Sequence, residues 1–195
     1  MPLVPLSIPA TDPVTLAEVK THIHVDHDDE DNRIADFIRT AVARLDGRAG
    51  ILGRCLIAQP WRLELDRFQA EISIPLPPCI SVDRIAYENA AGVEVEIAAT
   101  SYRVTGLGTL DGARIRPVRS YAWPATDLPG SVFVESTAGF GDDAIAVPEP
   151  LRTAIAMHVG HLYEHRESVV LGSGFITETP HGYEDLIRDY RLWSF

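Results

Sequence analysis

The spacing of apolar residues changes twice along this chain of 195 residues, and the two changes limit its possible folds. Between residues 34 and 45 the apolar side chains recur at intervals of three and four, which is typical of a helix with one buried face. From Trp61 to Phe140 most segments alternate apolar and polar residues, as half-buried strands do. The helical spacing returns after Pro148. The sequence therefore predicts an α+β fold.

The order of these segments predicts a helical bundle built from both chain ends, with an antiparallel β domain inserted between them. Residues 1–60 would form the N-terminal helical part, residues 61–145 the inserted β domain, and residues 146–195 the C-terminal helical part that completes the bundle. Because insertions are tolerated best at exposed loops, one interrupted helical unit is the simplest arrangement. The segments with strand-like alternation, which would form an antiparallel sheet, sandwich or small barrel, are 61–68, 71–76, 80–88, 93–99, 102–106, 113–118 and 131–140.

Local signals mark where the helices begin and end. Thr15 and Glu18 have the spacing of a capping box, which predicts a helix start. Gly47 stands where the second helix should stop, because glycine adopts the left-handed conformation that ends many helices. Pro148 and Pro150 are typical of the first turn of a helix. The inner face of that third helix is predicted to hold Ala154, Ile155, His158, Val159 and Leu162.

A run of acidic residues, DHDDED at residues 26–31, comes just before the second helix. A calcium loop would need alternating ligands, a central glycine and a distal glutamate, and this run lacks that order. Acidic side chains at a helix N-terminus can cap exposed amides and oppose the positive end of the helix dipole. We therefore interpret the run as an acidic helix N-terminus made by Asp26, Asp28, Asp29, Glu30 and Asp31.

Three histidines, His158, His161 and His165, share one face of the third predicted helix. The zinc-protease pattern requires glutamate directly after the first histidine, whereas Val159 follows His158 here. Helical histidines more commonly donate hydrogen bonds to nearby carbonyl or carboxylate oxygens than bind metal. We interpret the histidines as structural and expect no metal and no cofactor. A metal-dependent hydrolase that uses residues 158–165 remains the alternative.

Other familiar enzyme signatures are missing from the sequence. The glycines of GLGTLDG, residues 106–112, resemble a dinucleotide fingerprint, but their spacing and flanks fit a hairpin loop instead. The only lysine, Lys20, has no glycine-rich context and so cannot belong to a phosphate-binding Walker loop. No pair of carboxylates stands out as an acid–base couple. We expect no catalytic residues, and Cys55 and Cys79 are expected to be free thiols rather than a disulfide.

The net charge of −11 argues against a protein that grips nucleic acid, because phosphate binding needs clustered lysine and arginine. No apolar run approaches the roughly 20 residues of a membrane helix. The N-terminal stretch lacks the basic start of a secretion signal. These features predict a soluble, intracellular protein without a membrane partner.

Five stretches of the chain together resemble the head–tail connector (adaptor) proteins of tailed phages and phage-like gene transfer agents. The fourth stretch is a proline-led helix with a Tyr-Glu-x-Arg-Glu pattern, and the fifth places a Pro-x-Gly before a final Tyr-Arg. In order they are VTLAEVKTHIHVDHDDED, GRAGILGRCLIAQPW, IPLPPCISVDRIAY, VPEPLRTAIAMHVGHLYEHRE and PHGYEDLIRDYR.

The resemblance implies a structural, non-enzymatic protein that forms a ring, a dodecamer by expectation, between the capsid portal and the tail. The ring would extend a channel through which DNA passes without specific binding. Its partners would be the portal protein and a tail-side stopper or second connector protein. It would lie in the neck of a virion or phage-like particle assembled in the bacterial cytoplasm. A domain that binds a small ligand through its β portion is a further alternative.

The C-terminal segment carries the remaining hypothesis. A last helix is predicted over residues 183–193, with an apolar stripe that includes Leu186 and Ile187. A helix of about eleven residues is marginal alone and must dock on its own domain or on a neighbour. Tyrosine and tryptophan often anchor interfaces, and the resemblance implies that a terminal segment reaches the portal. We therefore hypothesise a portal or ring interface made by Tyr163, Glu164, Arg166, Glu167, Tyr190, Arg191, Trp193 and Phe195.

Overall fold

A computed structural model describes residues 2–126, 128–165 and 181–192, without the side chain of His181. The chain divides into two compact units. We call the first the β unit; it comprises Arg54–Asp142 and the start of the chain up to Ala10. The second, the helical unit, comprises Thr11–Gly53 and the described residues from Asp143 onward. Helices and antiparallel strands together confirm the mixed α+β class.

The helical unit contains the four α-helices of the described chain: α1 (Leu16–His22), α2 (Asp31–Leu45), α3 (Glu149–Glu164) and α4 (His181–Arg188). The predicted start of α1 is confirmed, because Thr15 and Glu18 form a reciprocal capping box. The predicted stop of α2 is also confirmed: the helix ends at Leu45, and Gly47 has a φ of +71°. The prolines before α3 lie at its N-cap and in its first turn, as predicted.

Helix α3 packs against each of the other three helices, and α1 also packs against α2. The buried side chains of α2 follow the predicted helical spacing. On α3 the face is shifted slightly, because His158 and Leu162 are only partly buried while Leu151 is fully buried. The fully or nearly fully buried residues of the four helices are Val19, Ile34, Ile38, Ala41, Leu45, Leu151, Ala154, Ile155, Val159, Tyr183 and Ile187.

The β unit contains two sheets in which every strand pair is antiparallel. The first sheet has five strands in the order β1-β2-β8-β4-β5, and the second has three in the order β3-β7-β6. The strands are β1 (Leu3–Pro5), β2 (Gln59–Leu65), β3 (Ile72–Ser73), β4 (Cys79–Glu88), β5 (Glu94–Glu96), β6 (Tyr102–Thr105), β7 (Arg114–Pro117) and β8 (Val132–Ala138).

Each of the seven segments with strand-like alternation contains a strand, so that prediction is confirmed. Strands β2 and β8 alternate buried and partly buried residues along their whole length, which is the pattern that alternating polarity indicates. The buried sides of both sheets contribute to one apolar cluster. Its members are Leu63, Leu65, Ile72, Ile74, Cys79, Ile85, Ile97, Ala113, Ile115, Val132 and Val134.

Strand β1 was not predicted. Residues 1–60 were assigned to the N-terminal helical part, yet Leu3–Pro5 pairs with Trp61–Leu63 of β2, and the start of the chain belongs to the β unit. The prolines of this stretch hide the strand from pattern analysis, since proline normally argues against one. An edge strand tolerates proline, and β1 lies at the edge of its sheet.

The glycine-rich segment 106–112 joins β6 to β7, which confirms the predicted hairpin loop. Gly106 and Gly112 have φ values of +77° and +90°, which side chains with a Cβ rarely adopt. The buried Arg54 donates hydrogen bonds to the carbonyl oxygens of Leu110 at 2.7 Å and Pro77 at 3.3 Å. Arg54 thereby fixes the loop to the body of the β unit.

Both cysteines, Cys55 and Cys79, are buried free thiols. Burial raises the pKa of Cys79 to about 11, so this thiol is protonated at neutral pH. In the described part of the chain, no helix combines the length and the apolar character needed to cross a lipid bilayer.

Candidate functional site

Two carboxylates of the acidic run form ion pairs that connect α1 to α2. The ammonium group of Lys20 contacts the carboxylates of Asp28 at 2.6 Å and Asp31 at 2.7 Å. These hydrogen bonds raise the pKa of Lys20, and the same contact with Lys20 lowers the pKa of Asp28. The only lysine of the chain therefore ties the end of one helix to the start of the next.

The expected capping by the acidic run is only partly correct. Glu30 occupies the N-cap of α2, but its side chain makes no capping hydrogen bond. Instead its carboxylate accepts a hydrogen bond from the Tyr163 hydroxyl at 2.5 Å. Asp31 does lie in the first turn, where its charge opposes the helix dipole. Partners on other helices compete successfully with the local amides, because each brings a charge or a directed hydroxyl.

The contact between Glu30 and Tyr163 brings together two residue sets that the sequence treated separately. Glu30 belongs to the acidic run, and Tyr163 belongs to the hypothesised interface near the end of α3. The hydrogen bond crosses 133 positions of sequence and joins the two chain segments of the helical unit. Tyr163 therefore stabilises the contact between α3 and the start of α2. Its neighbour Glu164 is exposed.

A second polar contact, an ion pair, links α1 to α3. Arg152 contacts the carboxylates of Glu18 and, at 3.0 Å, Glu149. The side chain of Arg152 is only 17% exposed, so the contact with Glu18 is partly shielded from water. These three residues, with His22 and apolar neighbours, line a groove of about 180 Å³. The sequence does not predict these roles of Lys20 and Arg152, because Asp31 and Glu18, the partners that link helices, lie on other helices.

The three histidines do not form a ligand set. The rings of His161 and His165 stack at a centroid distance of 4.6 Å, and Nδ1 of His165 lies 3.1 Å from the carbonyl oxygen of His161. His158 instead meets the ring of Tyr183 edge-on at 5.6 Å. Within residues 2–126, 128–165 and 181–192, no three His, Cys, Asp or Glu side chains are grouped so that they could hold a metal ion.

His158 and Tyr183 form a partly polar contact between α3 and α4. Burial lowers the pKa of His158, and the nearby positive charge of Arg44 lowers it further. Burial raises the pKa of the fully buried Tyr183. Neither Nδ1 of His158 nor the Tyr183 hydroxyl has a hydrogen-bond partner of good geometry among the described residues. The predicted apolar stripe of the last helix did not include Tyr183.

Helix α4 begins and ends earlier than predicted, at His181 and Arg188. It docks on α3, burying Tyr183 and Ile187. After the helix, the backbone amide of Leu192 donates to the carbonyl oxygen of Leu52 at 3.0 Å. Of the hypothesised interface residues, Tyr190 and Arg191 are partly buried next to this contact, while Arg166, Glu167, Trp193 and Phe195 lie outside the described residues.

Comparison with known proteins shows what the chain is similar to. Residues 13–106 match the model of the phage gp6-like head-tail connector proteins. The whole chain also matches a protein in the solved structure titled neck of an empty GTA particle, computed with C6 symmetry. The TM-score is 0.79 at 25% identity, and the match covers 100% of this chain and 97% of that one. The chain is thus similar to the head–tail connector proteins.

Further solved structures agree with this connector fold. The neck of a native GTA particle, computed with C12 symmetry, matches at a TM-score of 0.77 and 25% identity. The virion of a native gene transfer agent (GTA) particle matches at a TM-score of 0.77 and 24% identity. Both matches cover 100% of this connector and 97% of the other chain. No curated protein matches the sequence. The connector is thus a structural head–tail adaptor, and nothing supports the metal-dependent hydrolase or the small-ligand domain.

Proposed function

We propose that this connector assembles as a homo-oligomeric ring in the neck of a tailed phage or phage-like particle, between the capsid portal and the tail. The observation that carries the proposal is the likeness to neck proteins along the whole chain. The C6 and C12 symmetries of those necks support a ring, and the C12 symmetry supports twelve copies. Its partners would be the portal protein and a tail-side stopper or second connector protein.

The proposed role in DNA passage rests on charge. Phosphates bind to clustered cations, and a surface with excess carboxylates repels them. Residues 11–53 and 143–195, which belong to the helical unit, hold 17 of the 28 acidic residues but only 9 of the 17 basic ones. A ring whose helical units face the channel would let DNA slide through without holding it.

We further propose that helices from both chain ends form one bundle and that the β unit is an insertion in it. Two polar contacts support this arrangement, since each joins the chain segments on either side of the insertion. Tyr163 donates to Glu30, and Arg152 contacts Glu18. Contacts of this kind suit a structural, non-enzymatic protein that must keep its shape while neighbouring proteins bind it.

The portal contact remains our proposal for the chain end and for the last turn of α3. We propose that Tyr190, Arg191, Trp193 and Phe195 bind the portal, together with Glu164, Arg166 and Glu167. The hydroxyl of Tyr163 donates a hydrogen bond to Glu30. Tyr163 would therefore stabilise this surface rather than bind the portal through its hydroxyl. The amide of Leu192 donates to the carbonyl oxygen of Leu52, which holds Leu192 on the helical unit.

A truncation tests the portal contact. A chain that ends at Leu192 keeps the hydrogen bond to Leu52 but loses both aromatic residues beyond it. We expect unchanged thermal stability and loss of co-sedimentation with portal-containing, tailless heads. The matched control is Trp123→Ala in the β unit, which should affect stability without removing a terminal anchor. Co-sedimentation of the truncated chain at the level of the full chain would show that the end is not a portal contact.

A deletion tests the ring proposal itself. Removing the gene from a strain that makes the particle should leave heads without tails, visible by negative-stain electron microscopy. Expression of the full chain in trans should restore tailed particles. Normal infectious or transducing particles from the deletion strain would contradict the proposed function.

A further inference from the structure

One sheet face of the β unit carries positive charge in a chain that is otherwise acidic. Arg103, Arg114 and Arg116 are exposed on β6 and β7. Residues paired across an antiparallel ladder project to the same side of the sheet. Arg103 pairs with Arg116, and Arg114 pairs with Thr105 and Ser73, which are also exposed. We call this set of three arginines the arginine face.

The arginine face has too few carboxylates to neutralise it. Glu71 contacts both Arg114 and Arg116, and it is the one carboxylate that pairs with these arginines among the described residues. Arg103 makes no hydrogen bond or ion pair with any described residue. Glu71 is therefore shared by two of the three guanidinium groups, and Arg103 has no carboxylate partner among the described residues, which leaves an excess of positive charge at the surface.

On the five-stranded sheet, by contrast, the arginines have carboxylate partners. Arg62 pairs with Glu135, and Arg84 contacts Glu94, Glu96 and, at 3.9 Å, the same Glu135. Charge on that sheet is thus compensated within the chain. The two sheets therefore differ, since the strand arginines of the β3-β7-β6 sheet have fewer carboxylate partners than Arg62 and Arg84.

Repulsion within the arginine face lowers the stability of the isolated chain. Like charges directly opposite each other on neighbouring strands destabilise a sheet, and Arg103 is directly opposite Arg116. An acidic partner would remove this repulsion. Arginine suits that role, because its planar guanidinium group binds carboxylates in a two-point geometry and is weakly hydrated.

The acidic run of the helical unit offers complementary charge. Asp28 and Asp31 form ion pairs with Lys20, and Glu30 accepts a hydrogen bond from Tyr163. Asp26 and Asp29 are exposed, and the side chain of Asp29 is 95% exposed. Its one ion-pair neighbour in the described part of the chain is the imidazole of His27, at 4.0 Å. These two carboxylates are therefore available to a neighbouring molecule.

We propose that the arginine face of one copy binds Asp26 and Asp29 of the next copy around the ring. This inference rests on the ring of the proposed function. A ring needs a head-to-tail contact between two different surfaces, and opposite charges on one chain provide such a pair. Electrostatic complementarity would fix the order and register of the copies more than it would add affinity. The net charge of −11 disfavours DNA as the partner of the arginine face.

A charge-reversal experiment tests the contact in assembled particles. The double variant Arg103→Glu/Arg116→Glu replaces the wild-type chain, and the amount of connector per portal protein in purified particles is measured by quantitative mass spectrometry. We expect retention to fall by about tenfold or more, because attraction becomes repulsion at the interface. Adding Asp26→Arg and Asp29→Arg to the same chain should restore retention, since the charges again attract.

The controls separate the possible outcomes. Arg39→Glu/Arg67→Glu changes the net charge equally at two other exposed arginines and should be retained normally. Thermal melting of the purified chains checks folding, and Arg103→Gln/Arg116→Gln replaces the reversal variant if the latter is unstable. Normal retention of the tested variant would overturn the arginine face while leaving the proposed function intact. Loss without rescue would overturn the assignment of Asp26 and Asp29.

Two further results would also overturn the inference. Specific binding of the purified wild-type chain to duplex DNA, lost in Arg103→Glu/Arg116→Glu, would assign the arginine face to nucleic acid instead. Absence of the wild-type chain from the neck would contradict the proposed function, and the ring contact with it.

Discussion

At the scale of single residues, the helical unit depends on polar side chains that reach across helices. Tyr163 near the end of α3 donates to Glu30 at the start of α2, over a distance of 2.5 Å. Lys20 of α1 binds Asp28 and Asp31. Because the contacts of Tyr163 with Glu30 and of Lys20 with Asp31 link different helices, a change at one atom alters how two helices pack rather than one helix alone.

Replacing Tyr163 with phenylalanine tests this view. The substitution removes only the hydroxyl that donates to Glu30, so we expect the free energy of unfolding to fall by about 1–2 kcal/mol. Urea denaturation with unchanged slope measures it. Tyr121→Phe is the matched control, since the Tyr121 hydroxyl makes no hydrogen bond with a described residue. Equal stability of both variants and the wild type would contradict the structural role of Tyr163.

His158 should make stability depend on pH. Burial lowers the pKa of this imidazole in the folded chain, so the unfolded chain takes up a proton first as the pH falls. Stability should therefore decrease as the pH drops below about 6.5, the ordinary histidine value. Urea midpoints at pH values from about 7.5 down to about 5.5 would show the slope.

Two variants assign this slope to its residue. His158→Gln should flatten the pH dependence, because its side chain does not titrate. His161→Gln should keep the slope, fold normally and change stability by about 1 kcal/mol or less. A slope that survives in His158→Gln, or stoichiometric zinc that is lost with function in His161→Gln, would contradict the structural interpretation of these histidines.

At the scale of whole elements, helix α1 has only seven residues and depends on its ends. Its N-terminus has a full capping box: the Glu18 amide donates to the Thr15 hydroxyl at 3.2 Å, and the Glu18 carboxylate accepts from the Thr15 amide at 2.7 Å. The same carboxylate also contacts Arg152 of α3. The cap thus orders α1 and places Glu18 for the contact between helices.

Thr15→Ala removes the side-chain half of this cap. We expect a loss of about 1 kcal/mol in the free energy of unfolding, since the Glu18 amide loses its acceptor. Thr15→Ser retains the hydroxyl and should lose at most a few tenths of that. Thermal or chemical unfolding of the two variants side by side makes the measurement. Equal destabilisation by serine and alanine would show that the methyl group of Thr15 matters rather than the cap.

The elements differ in how well their sequences predict them. The sequence predicts β2 and β8 most clearly, because one face of each packs on apolar neighbours and polarity therefore alternates. Strand β1 was missed because its prolines are tolerated only through its position at the sheet edge, which depends on the partner β2. Helix α2 was predicted with its stop at Gly47, since that signal is local.

The site was harder to predict than the elements. The acidic run was noticed, but its partners Lys20 and Tyr163 lie on other helices, and sequence spacing carries no sign of them. The same holds for the burial of Tyr183 against His158. The arginine face needed the register of β6 against β7, which places Arg103 opposite Arg116. Tertiary pairing decides all of these contacts.

At the scale of the whole molecule, charge is unevenly divided. The residues of the helical unit carry an excess of eight acidic residues, whereas those of the β unit carry an excess of three. This division fits a ring whose copies attract one another locally while DNA is repelled. We expect the purified chain to leave duplex DNA unshifted in a gel at about 0.15 M salt, because the net charge opposes counterion release. A salt-sensitive shift at micromolar protein would contradict a passive channel.

The most direct test of the neck assignment is electron cryo-microscopy of the native particle that contains this chain, reconstructed around the neck. We predict density for the two units of this connector in a closed ring between the portal and the tail, with the DNA channel running through its centre. A particle whose neck is complete without this chain, or in which the chain lies in the capsid shell or the tail tube, would contradict the account.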